Sequence, residues 1–258
     1  MAAQVTANTC LPHPPPFRAL DHVHDLKPHL LLACTGSVAT IKLPNILHAL
    51  SHHELSIRVI LSASAAQFLE SQSAEQPSAA SLLSIRNVEA IYRDEDEWLQ
   101  PWTRGASILH IELRRWADLL VIAPLSANSL AKLVHGMADS LVLSVARAWD
   151  TTGLVDGVRT GLSLGLPTSE GKKMIVVAPA MNTAMWLHPV TAQQIRVLEE
   201  EWGVARGGWV RVLRPMEKEL ACGDVGSGAM QDWKEIVKVI EGLCGAGLAD
   251  KEPRQSMG

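Results

Sequence analysis

The sequence predicts an α/β protein, a doubly wound parallel sheet covered by helices on both faces in three α/β/α layers. Three observations carry that expectation. Apolar runs without polar alternation recur, among them His29 to Cys34 (HLLLAC), Asp118 to Ala123 (DLLVIA) and Lys173 to Ala178 (KMIVVA), as expected of strands buried on both faces. Stretches of helical spacing separate these runs, the alternation that βαβ connections produce. Each of the three runs also ends in a short polar turn, where ligands collect in sheets of this kind.

The elements follow in order. His29 to Cys34 is read as a strand, Thr35-Gly36-Ser37 as a tight turn, and Val38 to Leu50 as a helix. Ser56 to Leu61 is a second strand, Ser62 to Glu70 opens a helix behind a serine cap, and residues 71 to 87 are loop. Val88 to Tyr92 is a short third strand, and the acidic Asp94 to Glu97 is read as a solvated turn. Ala106 to Arg115 is helical, and the strand ending at Ala123 is broken by Pro124. Helices are expected through Val134 and from Ala138 to Trp149. After the strand at Lys173 come a helix to about Trp202, a short strand at Val210 to Leu213, and a last helix from Asp232 to Leu243. Residues 1–28, polar and rich in His and Pro, form a disordered leader, and the glycine-rich residues 151–171 an insertion. Leu220 to Met230 (LACGDVGSGAM) is expected to hold no regular structure.

On a prior of roughly 150 residues per domain, a chain of 258 residues allows one large domain or two small ones. Its 23 basic and 27 acidic side chains argue against a nucleic-acid partner, which calls for a clustered basic face. Apolar runs such as Leu119 to Leu125 fall far short of the roughly 20 residues that span a bilayer, so no membrane partner is expected. Cys10, Cys34, Cys222 and Cys244 lie apart with no CxxC pair, which suggests neither a metal site nor a disulfide framework, and a reducing, cytoplasmic setting.

Gly36, Ser37, Val38 and Ala39 stand between a strand and a helix start, where free amides and the helix dipole favour an anion. There is neither GxGxxG nor the Lys-Ser/Thr ending of a P-loop, so a mononucleotide phosphate fits better than a dinucleotide or triphosphate. A plain capped turn explains the segment as well, and Ser126-Ala127-Asn128-Ser129, a second hydroxyl-rich turn, tips the balance toward a shared phosphate shell. His110, near Glu112, Arg114 and Arg115, is an acid/base candidate, although a lone helical histidine is more often structural. Asn182 ends a strand, where its amide can donate and accept toward a ligand carboxylate or can cap the next helix. Cys222, between Ala221 and Gly223, sits where a thiol is presented, whereas Cys34 packs in the core.

The motifs HIELRRWAD, LVIAPLSANSLAK, PAMNTAMW and ACGDVGSGAM, in this order, resemble the signatures of the homo-oligomeric flavin-containing cysteine decarboxylases, over most of residues 29 to 243. The resemblance implies a flavodoxin-like (Rossmann-like) fold over residues 29–244, with the tail 245–258 flexible. It also implies bound FMN and a homotrimer, or a heterotrimer with paralogues, whose active sites lie between subunits. The activity it implies is FMN-dependent decarboxylation of 4′-phosphopantothenoyl-L-cysteine to 4′-phosphopantetheine in coenzyme A biosynthesis. There the cysteine moiety is oxidised to a thioaldehyde, CO₂ leaves, and the resulting enethiol is reduced again with no net redox change.

By position, the resemblance makes His110 the catalytic histidine, Asn182 the holder of the substrate carboxylate and Cys222 the proton donor to the enethiol. It places FMN against Gly36, Ser37, Val38, Ala39, Ser62, Ser64, Ser126, Ala127, Asn128, Ser129 and Ala180. Substrate would meet Asn182, Met185 and Ala221, with Lys42 and Arg115 on its phosphate, and 220–230 would close as a flap. Lys218-Glu219 replaces a basic pair common in relatives. Two other readings compete: an inhibitory regulatory subunit of a Ser/Thr protein phosphatase on the same fold, and a peptidyl-cysteine decarboxylase of lantibiotic maturation. The first goes with a long acidic C-terminal tail, and here Gly245 to Gly258 is short and nearly balanced.

Overall fold

Six strands pair in parallel throughout: β1 (His29–Cys34), β2 (Ser56–Leu61), β3 (Val88–Tyr92), β4 (Leu119–Leu125), β5 (Met174–Pro179) and β6 (Val210–Val212). They lie in the order β3-β2-β1-β4-β5-β6. The structure, a computed structural model, describes residues 11–99, 101–156, 159, 164–166, 171–219 and 225–245. The expected three layers are present, and the strand order is the Rossmann one, with its switch point between β1 and β4.

Alternation along each strand builds the layers. From β1, Leu30, Leu32 and Cys34 pack with α1 (Leu43–Leu50) and α8 (Trp233–Cys244) on one face. Leu31 and Ala33 meet α3 (Leu109–Trp116), α4 (Ala127–Val134) and α5 (Leu141–Arg147) on the other. Every residue of β1, β2, β4 and β5 is buried, which is why these runs read as continuously apolar. Cys34 is fully buried and burial pushes its thiol well above the usual range, in keeping with a core role.

Several local expectations change. The first helix opens as a 3₁₀ turn, Val38–Lys42, and α2 (Ala63–Ala66) is a single turn behind the Ser62 cap. The 71–87 stretch contains a 3₁₀ helix at Ala79–Ser84. β4 runs on through Pro124, with its register against β5 shifting between Ile122 and Leu125, and the Pro124 carbonyl accepts from both the amide and the hydroxyl of Thr35. The acidic turn is a 3₁₀ helix, Asp94–Trp98, that turns inward. Asp96 is buried beneath His13 Nδ1 at 2.6 Å and takes the Arg93 amide at 2.7 Å. The helix expected to reach Trp202 is split into α6 (Thr183–Leu187), α7 (Pro189–Arg196) and a π turn at Val197–Glu201.

Part of the glycine-rich motif is a strand. β7 (Met216–Glu219) and β8 (Val225–Ala229) form an antiparallel hairpin on α6. Its glycines are there for approach: a Cβ on Gly228 would stand 2.5 Å from the Met181 carbonyl, and one on Gly226 would collide with Thr183. The described part of the leader is also packed, with Leu11 and Ala19 buried and the Phe17 ring 4.0 Å from the Arg58 guanidinium. Arg159, from the insertion, grips Asp118 through two hydrogen bonds of 3.0 and 2.6 Å and the carbonyls of His22, Asp25 and Lys27.

Candidate functional site

A cavity of about 720 Å³ opens at the carboxyl ends of β1, β4 and β5. Gly36, Ser37, Val38, Ala39 and Lys42 line it from the β1 turn, and Ser126, Ala127 and Asn128 from the β4 turn. Ala180, Met181, Asn182 and Met185 come from the β5 turn, Met216, Gly228 and Met230 from the hairpin side, and Trp233 from the start of α8. The three polar turns singled out in the sequence therefore meet in one place, as the switch point requires.

Caps fix the polar groups. The Ser126 hydroxyl receives the Ser129 amide at 3.3 Å, and the Ser126 amide is taken by Thr35 Oγ1 at 2.7 Å. The Ala127 and Asn128 amides, first in α4, have no partner within the helix, and both residues border the cavity. Asn182 caps the next helix, one of its two expected roles, and also lines the cavity. Its Oδ1 caps α6 by accepting the Met185 amide at 2.8 Å, which leaves the Nδ2 group as a pure donor at the cavity wall. A donor pair of fixed direction suits a carboxylate.

Ser62, Ser64 and Ser129 stand just behind this wall. Ser62 caps α2, and Ser64 lies so close to the β1 turn that a Cβ on Gly36 would be 2.7 Å from its own Cβ. Ser129 is buried, with its hydroxyl 3.1 Å from that of Ser126. Ala221 and Cys222 fall in the link between β7 and β8, outside the described residues.

His110 and Arg115 lie elsewhere. His110 borders a second cavity of about 720 Å³, with Asp94, Glu97, Trp98, Ser140 and Arg147. Arg115 faces the amino end of the sheet, 3.3 Å from Glu112 and 4.0 Å from Asp156, far from Lys42. Within one chain, then, Asn182 and Lys42 share a cavity that neither His110 nor Arg115 enters.

Sequence reading missed Glu97, whose carboxylate holds both the amide and the ring of His110, as well as Met216 and Trp233. For Glu97 the acidic run Asp94 to Glu97 read as a solvated turn, which hid its contact with His110. Met216 and Trp233 carried no signal, because only the docking of the hairpin and the packing of α8 bring them to the cavity.

The cavity suits a flavin mononucleotide. Val38, Met181, Met185, Met216, Met230 and Trp233 give apolar walls for a flat ring system, and the turns after β1 and β4 offer free amides and hydroxyls for a phosphate. Among the described residues no His/Cys/Asp/Glu cluster could hold a metal ion, and no helix is long and apolar enough to cross a membrane.

Known proteins share this arrangement. A phosphopantothenoylcysteine decarboxylase of Arabidopsis thaliana is 39% identical over 215 residues, 83% of this chain and 84% of its own. A solved PPC decarboxylase mutant complexed with pantothenoylaminoethenethiol superposes with a TM-score of 0.64 at 37% identity, over 83% of this chain and 97% of that one. The FMN binding protein AtHal3 gives a TM-score of 0.62 at 37% identity, over 83% and 95%. The motifs, the strand order and the cavity between β1 and β4 agree with a match of residues 19–245 to the model described as Flavoprotein, and the chain belongs to that family.

Proposed function

We propose that this chain is an FMN-dependent phosphopantothenoylcysteine decarboxylase, a carboxy-lyase that converts 4′-phosphopantothenoyl-L-cysteine to 4′-phosphopantetheine in coenzyme A biosynthesis. The observation that carries the reading is Asn182: its cap-fixed Nδ2 group borders the one cavity shared by all three polar strand-end turns. Residues 29–244 act as the flavoprotein domain, in the cytoplasm, where the substrate thiol stays reduced.

FMN, when bound, supplies a reversible two-electron acceptor, so that the thiol-bearing carbon is oxidised before the carboxylate departs and reduced afterwards. The Ala127 and Asn128 amides, with Ser37, Ser126 and Ser129, would hold its phosphate, while Gly36, Val38, Ala39, Ala127, Ala180, Ser62 and Ser64 would shape the surrounding wall. Asn182 Nδ2 donates to the substrate carboxylate and Met185 packs beside it. Cys222 Sγ delivers a proton to the product carbon, with Ala221 next to the substrate.

His110 acts on a neighbouring copy. It lies outside the cavity of its own chain, so a complete site needs one subunit's Asn182 and Lys42 and another's His110 and Arg115. A closed ring of three, joined head to tail, meets that need. The test is purified protein: yellow, trimeric by light scattering, and releasing CO₂ from phosphopantothenoylcysteine. Cys222→Ser should stall after CO₂ loss, and His110→Asn should abolish turnover with flavin retained. Folded but colourless protein, or yellow protein inert on this substrate that inhibits a Ser/Thr phosphatase, would overturn the reading.

A further inference from the structure

We propose that Glu97 is a positioning residue for His110, fixing which ring nitrogen faces the reaction. The inference deepens the decarboxylase reading and rests on His110 being catalytic. Glu97 Oε1 is 2.8 Å from His110 Nδ1, and Glu97 Oε2 accepts the His110 backbone amide at 3.1 Å. Because a carboxylate only accepts, Nδ1 must carry the proton in this contact. In the neutral ring Nε2 is then the lone-pair nitrogen, with no hydrogen-bond partner among the described residues, on a side chain that borders the cavity.

The grip is two-point and sheltered. His110 is the second residue of α3, whose N-cap, Ile108, offers no side-chain cap, so the Glu97 carboxylate satisfies an amide that the helix start would leave open. The same carboxylate therefore anchors the ring to its own backbone. The Glu97 side chain is 6% exposed, against 25% for that of His110, so the anchoring end is shielded and the working end is open.

The other charged groups bordering that cavity are committed or opposite in sign. Asp94 accepts the Leu141 amide at 2.8 Å, Asp139 pairs with Lys132, and Arg147 is cationic and cannot accept. Among the described residues, only Glu97 hydrogen-bonds the ring. In the neutral imidazole Nε2 can take a proton from substrate, and once it has, the imidazolium keeps its second N–H on a carboxylate. Without Glu97, both tautomers and several ring orientations become accessible.

The test compares Glu97→Gln, Glu97→Asp and His110→Asn in the flavin-loaded protein, with histidine ring nitrogens observed by ¹⁵N NMR. In the wild type the His110 signals should report Nδ1–H with a bare Nε2. Glu97→Gln, whose amide can donate to Nδ1, should move them toward the Nε2–H tautomer and lower kcat by roughly 100-fold, with KM and flavin content unchanged. Glu97→Asp should restore the original tautomer and most of the rate. Wild-type tautomer and kcat in Glu97→Gln would overturn the proposal, as would loss of flavin or assembly in both Glu97 variants, which would mark a structural brace. Full activity in His110→Asn would instead remove the catalytic role of His110, and the proposal with it.

Discussion

Asn182 caps a helix with its side chain and at the same time lines the cavity. Its oxygen is spent on the Met185 amide, which leaves the nitrogen as the side chain's free donor in a residue that lines the cavity. Serine caps helices about as well as asparagine but carries no amide donor. Asn182→Ser should therefore melt close to the wild type while turnover falls about 100-fold, the worth of a lost hydrogen bond to a carboxylate. Calorimetry beside a CO₂-release assay checks both halves. A variant that turns over normally would show that the Nδ2 group does not hold substrate. Sequence alone left the capping and binding readings of Asn182 as alternatives, because spacing does not reveal that they use different atoms. For Glu97 it pointed the wrong way, since an acidic run normally faces water and only the fold brings His110 onto it.

The strands were legible because burial on both faces writes itself as an unbroken apolar run. The β7–β8 hairpin was not. Glycine normally marks a break, and here Gly226 and Gly228 mark contact with α6 and the Met181 carbonyl. Gly228 sits at φ +144°, so Gly228→Ala adds both backbone strain and a clash. The expected result is a local loss of about 1–3 kcal/mol. Limited proteolysis should then cut within 216–229, with the sheet's melting transition retained. Unchanged protease resistance would mean that the hairpin docks by other contacts. The same hairpin leads into Cys222, so its loosening should also raise KM.

The cavity lined by the three strand-end turns lies at the carboxyl end of the sheet, and at the amino end stands a buried ionic cluster of a different character. Lys173 donates to the carbonyls of Arg114 and Arg115 at 3.2 and 2.9 Å, and burial lowers its pKa to about 8. His29, stacked on Trp116 with ring centroids 4.5 Å apart, is likewise held below its usual value, by burial and then by the Arg159 charge. Both shifts favour the neutral form in the folded state. The unfolded chain thus binds more protons as pH falls through about 6.5, costing stability through His29. It also keeps a Lys173 proton that the folded chain releases between about 8 and the ordinary lysine value, so this lysine adds stability as pH rises, by at most about 3 kcal/mol. Urea midpoints from pH 5.5 to 10 should rise with this slope in the wild type and lose the alkaline part in Lys173→Met. An identical alkaline slope in the variant would place its source in another group. The insertion leaves from this same end. Trp149 Nε1 reaches the Lys173 carbonyl at 3.3 Å, so the chain departs and returns through one hydrogen-bonded gate. Lengthening a loop whose ends are already joined costs only logarithmically in its length. That gate stands at the opposite end of the sheet from the cavity that Asn182 borders, so the insertion, with Asp156 and its contact to Arg115 kept, is where a fluorescent reporter could be spliced into this protein without reaching that cavity.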